Sequence, residues 1–446
     1  MGWTMWRISW CDARRALLLV LLVPILFLVG CNILTQPDPG PPRTVPPGTP
    51  PDPNPGPNPN PNPNPNPDPN PNPDPSPGPG AAARAPYVQM LGRTSAIIVF
   101  RTAGAAPGRV EYGTSTAYGA AVDDGSVLQH EVALESLAPG TRYYYRVSSA
   151  GGVLAAGETY FFDTDAGRGD PEFAFFVTGD IGDPTGQQAR TAQRILATAP
   201  RAEMGLLCGD IIYPNGQSSG YDDNLMRPWA GLMRNCAIWP ALGNHDWHVN
   251  PDDNFRAEWV LPNNEHYFSF DRGPVHFIAL DTRDGDIYDP ANQVAWLRAD
   301  LAAQRDARFT VVYYHHPGMT CTYKGYNQAV ISRFMPLFDE FGVDLVFTGH
   351  AHTFERLYPI RNGAVVARAQ DPNYTNPGGT LYVTTGCGSK TTGTTADCDI
   401  NAAQVDHTVM FTHVTVRGNT LQVRTIDSAA GTVRDEFSLT KTGVVQ

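Results

Sequence analysis

The sequence lacks an excess of positive charge, and it lacks an uninterrupted hydrophobic run long enough to span a membrane. Its 446 residues carry 32 lysines and arginines against 44 aspartates and glutamates, so the formal net charge is −12. Because nucleic-acid-binding proteins present a basic surface to the phosphate backbone, this balance argues against nucleic-acid binding. The longest apolar run, residues 16–29, contains Pro24 and falls short of the roughly 20 residues of a spanning helix.

The short apolar run forms part of an N-terminal targeting segment. Three arginines precede it, which is the pattern of a secretory signal peptide over residues 1–30. The run ends in Leu28-Val29-Gly30-Cys31, which resembles the processing box of bacterial lipoproteins; an uncleaved short anchor is the alternative. We therefore expect lipidation at Cys31 and no other membrane attachment. The rest of the chain should be extracytoplasmic, facing the periplasm or lying at the cell surface.

Residues 31–80 have the composition of a disordered linker. Within them, residues 53–73 alternate proline with asparagine or aspartate, except for glycine at position 56. Proline at every second position removes amide donors and restricts φ, so neither helix nor sheet can form. We expect an extended, polyproline-like spacer with no catalytic residue.

The remaining length is too great for one ordinary domain, and the pattern divides it in two. Residues 81–168 contain short alternating segments separated by glycine and proline, which predicts an all-β sandwich. Residues 137–147 resemble a strand corner of fibronectin type III domains. The clearest strands are predicted at 96–100, 109–112, 130–134 and 143–147.

Residues 169–446 alternate apolar runs with amphipathic segments, which predicts a layered α/β domain with mixed sheets. A hairpin is predicted over residues 266–281 and further strands over 407–439. Buried strands are predicted at 173–178, 204–208, 238–242, 310–314, 345–348 and 381–385, and helices at 187–198, 224–235, 292–305 and 329–341.

Five short motifs stand at or just past the ends of apolar runs in this second region. Strand ends are where an α/β sheet collects its active site. Carboxylates, a phenol, an amide and imidazoles suit two adjacent metal ions, so the pattern predicts a binuclear metallohydrolase. The motifs are Gly179-Asp180-Ile181-Gly182, Gly209-Asp210-Ile211-Ile212-Tyr213, Gly243-Asn244-His245-Asp246, His315-His316-Pro317 and Gly349-His350-Ala351-His352.

The residue types suggest how two cations are shared. A bridging carboxylate is needed to hold two cations close together, and Asp210 is the candidate because its loop also supplies Tyr213. His350 and His352 are separated by one residue, and they can serve different metals if the loop bends. The phenolate of Tyr213 suits a hard ion such as Fe(III), whereas Asn244 suits a divalent ion.

In this order and spacing, the five motifs resemble those of the purple acid phosphatases, within the calcineurin-like metallophosphoesterases. The last motif continues Thr353-Phe354-Glu355-Arg356, and the pairing of Asp-x-Gly with a tyrosine in the second motif is typical of that branch. The resemblance implies an α/β/β/α sandwich that follows a fibronectin type III-like β-sandwich. It covers nearly everything from about residue 85 onward.

The resemblance also implies roles. Fe(III) would be held by Asp180, Asp210, Tyr213 and His352, and a divalent Zn, Mn or Fe ion by Asp210, Asn244, His315 and His350. His245 would bind the phosphate and assist the leaving group, and Asn244 would also contact substrate. A metal-bound hydroxide would attack phosphorus, hydrolysing phosphate monoesters of small molecules or polymers.

One stretch departs from the family pattern. Plant-type members carry further histidines after the equivalent of His315, whereas residues 320–327 contain none. Lys324, Tyr323 or His248 are the candidate replacements for substrate contact. The pattern His-x-Pro selects His315 over His316 as the metal ligand, so His316 is expected to pack or support.

Two alternatives remain open at this point. A phosphodiesterase or nucleotide pyrophosphatase would use the same metals. A surface-binding protein with an inactive second domain would have lost ligands, but all seven ligand positions are filled. Among the remaining residues, Asp246 and Glu355 are candidates to orient ligating histidines. Cys387 and Cys398 are candidates for a disulfide, and Cys208 and Cys236 each precede a metal motif on strands that could be neighbours, which would leave Cys321 unpaired. No connectivity follows from the sequence alone.

Overall fold

The computed structural model describes residues 80–443, except 151, 170–171, 249–250, 284–285, 305–306, 369–370 and 394–397. The predicted signal peptide, the lipidation site Cys31 and nearly all of the linker lie outside the described residues. Among the helices within the described ranges, none is long and apolar enough to cross a membrane.

The region before the α/β domain is all-β, as predicted, and its six strands form one hydrogen-bonded network. Two predicted strands, 96–100 and 109–112, are instead parts of one 18-residue strand. That strand passes Gly104 and Pro107 through register shifts, since bulges absorb residues that fit poorly in a regular ladder. The strands are β1 (Ala82–Gln89), β2 (Ala96–Gly113), β3 (Ala120–Leu134), β4 (Arg142–Ser149), β5 (Gly152–Ala155) and β6 (Phe161–Asp163).

Two seven-stranded sheets form the α/β domain, and all six predicted buried strands are confirmed within one residue. The first sheet has the order β17-β22-β21-β20-β7-β8-β9, with β7 (Glu172–Thr178), β8 (Met204–Cys208), β9 (Ala237–Ala241), β17 (Asn373–Thr375), β20 (Met410–Arg417), β21 (Thr420–Asp427) and β22 (Val433–Thr440). The second has the order β10-β11-β12-β13-β18-β14-β19, with β10 (Phe268–Arg272), β11 (Val275–Ala279), β12 (Phe309–Tyr314), β13 (Leu345–Thr348), β14 (Phe354–Leu357), β18 (Leu381–Thr385) and β19 (Asn401–Val405). A small hairpin joins β15 (Ile360–Arg361) to β16 (Ala364–Val365).

The helices agree with the predictions in position but not always in continuity. The predicted helix 329–341 is two helices that meet at Phe334, because Pro336 lacks an amide donor and disfavours helical backbone before it. The predicted helix 224–235 begins as a π-helix, Asp222–Met226. The helices are α1 (Gln187–Leu196), α2 (Ser218–Tyr221), α3 (Arg227–Met233), α4 (Pro251–Arg256), α5 (Pro290–Ala303), α6 (Gln328–Arg333) and α7 (Met335–Phe341), with a 3₁₀ turn at His245–Trp247.

The side-chain alternation along the central strands creates four layers. On β7, Phe175 packs edge-on against Phe277 of the other sheet, with ring centroids 5.1 Å apart. The next residue, Phe176, faces the opposite way and contacts Trp229 of α3. On the second sheet, residues that face away from the first, such as Val312, share a core with α5 and α7. The expected α/β/β/α arrangement follows from this alternation.

The β region is joined to the α/β domain by buried polar contacts. Arg84 of β1 forms an ion pair with Glu258, and both side chains are almost fully buried. Arg84 also pairs with Asp222 at 2.6 Å, and the Tyr87 hydroxyl donates to the Glu258 carbonyl oxygen at 2.8 Å. Because a buried charge needs its partner, these contacts hold the two domains together.

The disulfide prediction was wrong. Cys321 is bonded to Cys398, across 77 residues of sequence, and Cys387 is a free, buried thiol. Cys387 lies directly after the central part of the second sheet, where its thiol contacts the Met410 carbonyl oxygen at 4.0 Å. The bond instead links the loop after β12 to the loop before β19.

Candidate metal centre

The two sheets bring their predicted ligands to one edge. Asp180 follows β7, Asp210 and Tyr213 follow β8, and Asn244 follows β9. From the second sheet, His315 follows β12, and His350 and His352 follow β13. These strands are parallel within each sheet, so their carboxyl ends meet at the same edge. All seven predicted ligand residues therefore converge.

Three of the ligand residues have a backbone conformation that non-glycine residues rarely adopt. Asp180, Asp210 and His350 have φ values of 57°, 53° and 66°. This left-handed conformation costs free energy and persists where the surrounding structure enforces it, commonly at functional sites. At His350 it supplies the bend that an extended His-x-His segment needs to divide its two imidazoles.

Close backbone approach at two glycines allows the loops to meet. A Cβ atom on Gly349 would lie 2.4 Å from the Cys208 carbonyl oxygen and 2.8 Å from Asp180 Oδ2. A Cβ atom on Gly243 would lie 2.3 Å from Asp210 Oδ1. A side chain at Gly349 would push apart loops of the two sheets, and one at Gly243 would push apart two loops of the first sheet. These close contacts explain the glycines directly before Asn244 and His350.

The first donor cluster consists of two carboxylates, a phenol and an imidazole. The Tyr213 hydroxyl lies 2.9 Å from Asp180 Oδ1 and 2.8 Å from Asp210 Oδ2. His352 Nε2 lies 3.3 Å from the same hydroxyl and 3.2 Å from Asp180 Oδ1. Both carboxylates are buried, with at most 1% of their surface exposed. Four donor atoms thus surround one point.

The second donor cluster shares Asp210 with the first. His315 Nε2 lies 3.1 Å from Asn244 Oδ1 and 3.3 Å from Asp210 Oδ1. The His315 and His350 rings have centroids 5.0 Å apart. His315, His316 and His350 offer donor atoms that all lie within 4.8 Å of one another. Asp210 therefore has one oxygen toward each cluster.

The pKa values of these groups show how the protein balances the buried carboxylates. Burial and the two carboxylates raise the pKa of the Tyr213 phenol far above its usual range. Burial would lower the pKa of His315, but Asp210 raises it to about 9. Burial opposes ionisation of Asp210, yet the neighbouring His315 and His245 hold its pKa well below the ordinary value. A cation would take the place of the protons on Tyr213 and His315.

The donor set fits two metal ions. Ligand atoms bound to one cation at about 2.1 Å lie about 3 Å apart when the bond angle is near 90°, and the distances within both clusters have this size. One oxygen from each of two buried carboxylates lies within 3 Å of the same phenol oxygen, so a cation between them would be favoured. Hard oxygen and borderline nitrogen donors match Fe, Zn or Mn.

The histidines around the centre are oriented by groups other than those predicted. His315 Nδ1 donates to the Cys208 carbonyl oxygen at 2.7 Å, which directs Nε2 into the centre. Asp246 does not orient a histidine: its carboxylate accepts from the amides of Ile211, Ile212 and Gly243. It thereby ties the loop of Asp210 to the loop of Asn244.

Glu355, the second residue predicted to orient a ligating histidine, also serves a loop. Its carboxylate accepts from the Thr320 hydroxyl at 2.6 Å and from the Cys321 amide at 2.7 Å. It therefore fixes the loop after β12. The Cys208 carbonyl gave no signal in the sequence because it is a backbone group.

His245 has the geometry of a group that meets substrate. Its Nδ1 donates to the Pro214 carbonyl oxygen at 2.5 Å, and its amide donates to Asp210 Oδ1 at 2.9 Å. Nε2 lies 3.9 Å from Asp210 Oδ2, so the free nitrogen is directed toward the centre. His248 is close by, with ring centroids 5.2 Å apart, but its Nδ1 engages Asn215 Oδ1.

A cavity of about 390 Å³ adjoins the second cluster. His316 and His350 line it together with the predicted substrate residue Lys324. Tyr323 does not line this cavity; its hydroxyl accepts from Thr392 at 3.2 Å. His316 is buried, and Thr282 contacts both its amide and its Nδ1, which supports the expectation that it packs beside the ligands.

Sequence reasoning missed Lys390. It follows β18, and its Nζ lies 3.8 Å from the centroid of the Tyr213 ring and 3.3 Å from Asp183 Oδ2. A sequence pattern could have indicated it, because Lys390 follows the predicted buried strand 381–385 in the way that the candidate ligands follow theirs. Thr282, just after β11, could have been found in the same way.

Two family models match the chain. The calcineurin-like phosphoesterase model matches residues 173–354, a range that contains all seven ligand positions. The model of the purple acid phosphatase N-terminal domain matches residues 84–164. The β region and the metal centre therefore lie in two separately matched domains.

Curated relatives point in the same direction. The chain is 27% identical over 297 residues to acid phosphatase type 7 of Homo sapiens, covering 59% of this chain and 66% of the relative. It is 29% identical over 288 residues to purple acid phosphatase 21 of Arabidopsis thaliana, covering 59% of each. For purple acid phosphatase 18 of the same plant, identity is 28% over 312 residues, covering 65% of each. The chain thus spans less than two thirds of the length of these relatives.

Solved structures share the fold. Purple acid phosphatase PPD1 from yellow lupin (Lupinus luteus) matches with a TM-score of 0.72 and 18% identity, covering 81% of this chain and 75% of that chain. The structure of PhoD matches with a TM-score of 0.62 and 13% identity, covering 80% and 90%. At these identities the likeness concerns the fold alone.

Proposed function

We propose that this chain, which carries the two domains of the purple acid phosphatase family, hydrolyses phosphate monoesters at a centre of Fe(III) and a divalent Zn, Mn or Fe ion. The observation that carries the proposal is the position of Asp210. Its two carboxylate oxygens serve two donor clusters, one with Tyr213 and one with His315. A shared carboxylate is what two adjacent cations require.

The residues of the chain have separable tasks in this reaction. Asp180, Asp210, Tyr213 and His352 would hold the trivalent ion, and Asp210, Asn244, His315 and His350 the divalent one. The two cations would activate water and offset the negative charge of the phosphoryl group. His245, whose Nδ1 donates to Pro214, presents Nε2 toward the centre. That nitrogen is placed to donate a proton to the leaving-group oxygen.

Substrate contact involves groups outside the ligand set. Lys324 lines the cavity beside His350 and His316, so its ammonium faces the space that a bound ester would occupy. The substrates are phosphorylated small molecules or polymers. Asn244 and His245 contact the phosphoryl group, while Tyr323 supports Lys324 from the neighbouring position.

The protein works outside the cytoplasm in this proposal, attached to a membrane by a lipid on Cys31. The lipoprotein-like sequence before Cys31 supports the attachment. The Cys321–Cys398 disulfide supports an oxidising compartment, because such bonds are rare in reducing cytosol. Incorporation of labelled fatty acid in the wild type, and its loss in Cys31→Ser, would test the anchor.

The activity is tested on the full chain reconstituted with iron and zinc. We expect hydrolysis of an aryl phosphate monoester that is lost in His350→Ala. We also expect a visible charge-transfer band that is lost in Tyr213→Phe, because a phenolate bound to Fe(III) absorbs visible light. Turnover of a diester but not of the monoester would overturn the monoesterase assignment. Failure to bind metal would overturn the binuclear centre.

A further inference from the structure

Lysine is rare in this chain and unevenly placed. Only three of the 32 basic residues are lysines. Lys441 lies in the C-terminal segment, where it pairs with Asp344 at 3.0 Å. The other two, Lys324 and Lys390, both lie at the candidate metal centre. A chain that uses arginine almost everywhere else therefore uses lysine at this one site.

Lys390 lies beside the first donor cluster. Its ammonium lies 3.8 Å from the Tyr213 ring centroid, a cation–π distance. The preceding residue fixes the loop, since the Ser389 hydroxyl donates to the Asp180 carbonyl oxygen at 2.7 Å and the Ser389 amide donates to the same oxygen at 3.1 Å. Asp183 offsets part of the charge at 3.3 Å.

Lys324 lies at the cavity that adjoins the second cluster. It is exposed, and it lines the cavity of about 390 Å³ beside His316 and His350. Its ammonium lies 5.3 Å from the ring centroid of Tyr323, and it forms no ion pair with any residue that the structure describes. An unpaired cation that faces a cavity in a protein of net charge −12 is a binding group for an anion.

The two lysine loops are tied to each other. Cys321, three residues before Lys324, is bonded to Cys398. Thr392, two residues after Lys390, donates from its hydroxyl to the hydroxyl oxygen of Tyr323 at 3.2 Å. The two ammonium groups are therefore held on opposite clusters by one connected pair of loops.

We propose that Lys324 selects phosphoesters whose leaving group carries a second anionic group, with Lys390 adding positive charge beside Tyr213. The inference rests on the proposed phosphoesterase function and deepens it. In the proposed reaction, the two metal ions, Asn244 and His245 would already neutralise the charge of the scissile phosphoryl group. The cavity beyond His350 is larger than a phosphoryl group requires, so Lys324 faces the leaving group.

The chemistry of lysine fits this role. An ammonium is a compact charge with three donors on a flexible stem, and it adapts to anions of different shape more readily than a rigid guanidinium does. A diester with an uncharged second substituent carries less charge than such a monoester. Such a diester would therefore be stabilised less by the two lysine ammonium groups.

The experiment compares two matched substrates on the metal-loaded full chain. They are phenyl phosphates with a meta carboxylate or a meta carboxamide, which differ in charge but little in shape. We expect the wild type to have the lower KM for the carboxylate substrate. In K324M that KM should rise about tenfold, as expected for one lost hydrogen bond to a charged group, with kcat nearly unchanged. K390M should reduce the same preference, and K324R should largely restore it.

K441M is the matched control, because it removes the one lysine away from the centre and should leave the preference intact. Equal KM values for the two substrates in the wild type would overturn the proposal. If the metal-loaded chain hydrolyses no monoester, the proposed function fails, and binding of inorganic phosphate and diphosphate then decides about the lysines. Tighter diphosphate binding that is lost in K324M would support them, and equal binding would overturn them.

Discussion

The two sheets of the α/β domain contribute chemically different halves to the candidate metal centre. The first sheet delivers oxygen ligands, and the second delivers nitrogen ligands. The oxygen half is the more buried and is held by backbone amides: His350 N–H on Asp180 and His245 N–H on Asp210. Two imidazoles of the nitrogen half, His350 and His352, are only partly buried. The halves are Asp180, Asp210, Tyr213 and Asn244 against His315, His350 and His352.

This division explains why the centre depends on the tertiary fold. Neither sheet alone offers the mixture of hard and borderline donors that two unlike cations need. The contact between the halves is short, with Asp210 Oδ1 3.3 Å from His315 Nε2. A substitution in one half should therefore also weaken metal binding by the other half. Metal content and activity of the variants would measure the size of this effect.

The largest effect is expected from Asp210→Asn. The substitution keeps the shape of the side chain but removes the one charge that both clusters share, so both halves lose affinity for metal. We expect kcat/KM to fall more than about 10³-fold, beyond the loss of a single electrostatic donor. Metal content after dialysis should fall with it. Asp123→Asn, on the exposed surface of the β region, is the control, and an Asp210→Asn protein that retains two metals would contradict the shared role.

A smaller effect is expected from His245→Gln, which tests a residue of the oxygen side that is not a ligand. Loss of a proton donor typically costs about 10²-fold or more in kcat. Metal content should be unchanged, because His245 Nδ1 is bound to the Pro214 carbonyl and not to the clusters. His248→Gln is the matched variant, with a change below about threefold expected for a side chain outside the reaction. Equal losses in both variants would transfer the role to His248.

Much of the centre was predictable because its ligands follow local rules. Asp180 and Asp210 stand directly after glycine at the ends of apolar runs, which a sequence pattern identifies as buried strands. Because polar residues at the ends of such strands meet at one edge of an α/β sheet, the order of the strands along the chain was enough to predict that these residues converge. Lys390 also follows a strand, but an ammonium group does not bind a metal ion, so a pattern of metal ligands does not include it.

The errors arose where contacts in space are distant in sequence. Cys387 and Cys398 are near in sequence, yet Cys398 pairs with Cys321, because the loops after β12 and before β19 meet across the second sheet. Glu355 was expected beside a histidine but fixes the Cys321 amide in the same loop region. No local pattern reports which loops meet.

Gly349→Ala should break the contact between the halves sterically. The added Cβ would lie 2.4 Å from the Cys208 carbonyl oxygen and 3.0 Å from His315 Nδ1, so either the loop or the imidazole must move. We expect the free energy of unfolding to fall by about 1–3 kcal/mol, the usual cost of overpacking, together with weaker metal binding. Gly125→Ala, where an added Cβ meets nothing within 4 Å, is the control. Denaturant titration that gives the same result for both variants would exclude the steric contact.

The last prediction concerns His276, a histidine of the second sheet that is held by two carboxylates away from the candidate metal centre. Its Nδ1 lies 2.7 Å from Asp271 and its Nε2 2.8 Å from Asp300. Burial would lower its pKa, but both carboxylates raise it, and the net direction is upward. His276 therefore provides a comparison for the candidate ligand histidines, because between its two carboxylates it binds a proton and not a metal ion.

The raised pKa of His276 fixes the sign of its effect on stability. The folded state binds the proton more tightly than the unfolded state, whose pKa is about 6.5. The stabilisation is therefore fully present below that value and is lost as pH rises through the folded pKa. In urea titrations, His276→Gln should lower the free energy of unfolding by about 1.5–3 kcal/mol near pH 6, as for hydrogen bonds to charged groups. The difference should shrink as the pH rises through the folded-state pKa and the wild-type imidazole loses its proton. A difference that grows with pH would mean that the folded protein holds His276 as the neutral imidazole. The contrast between a protonated His276 and the candidate ligand histidines would then disappear.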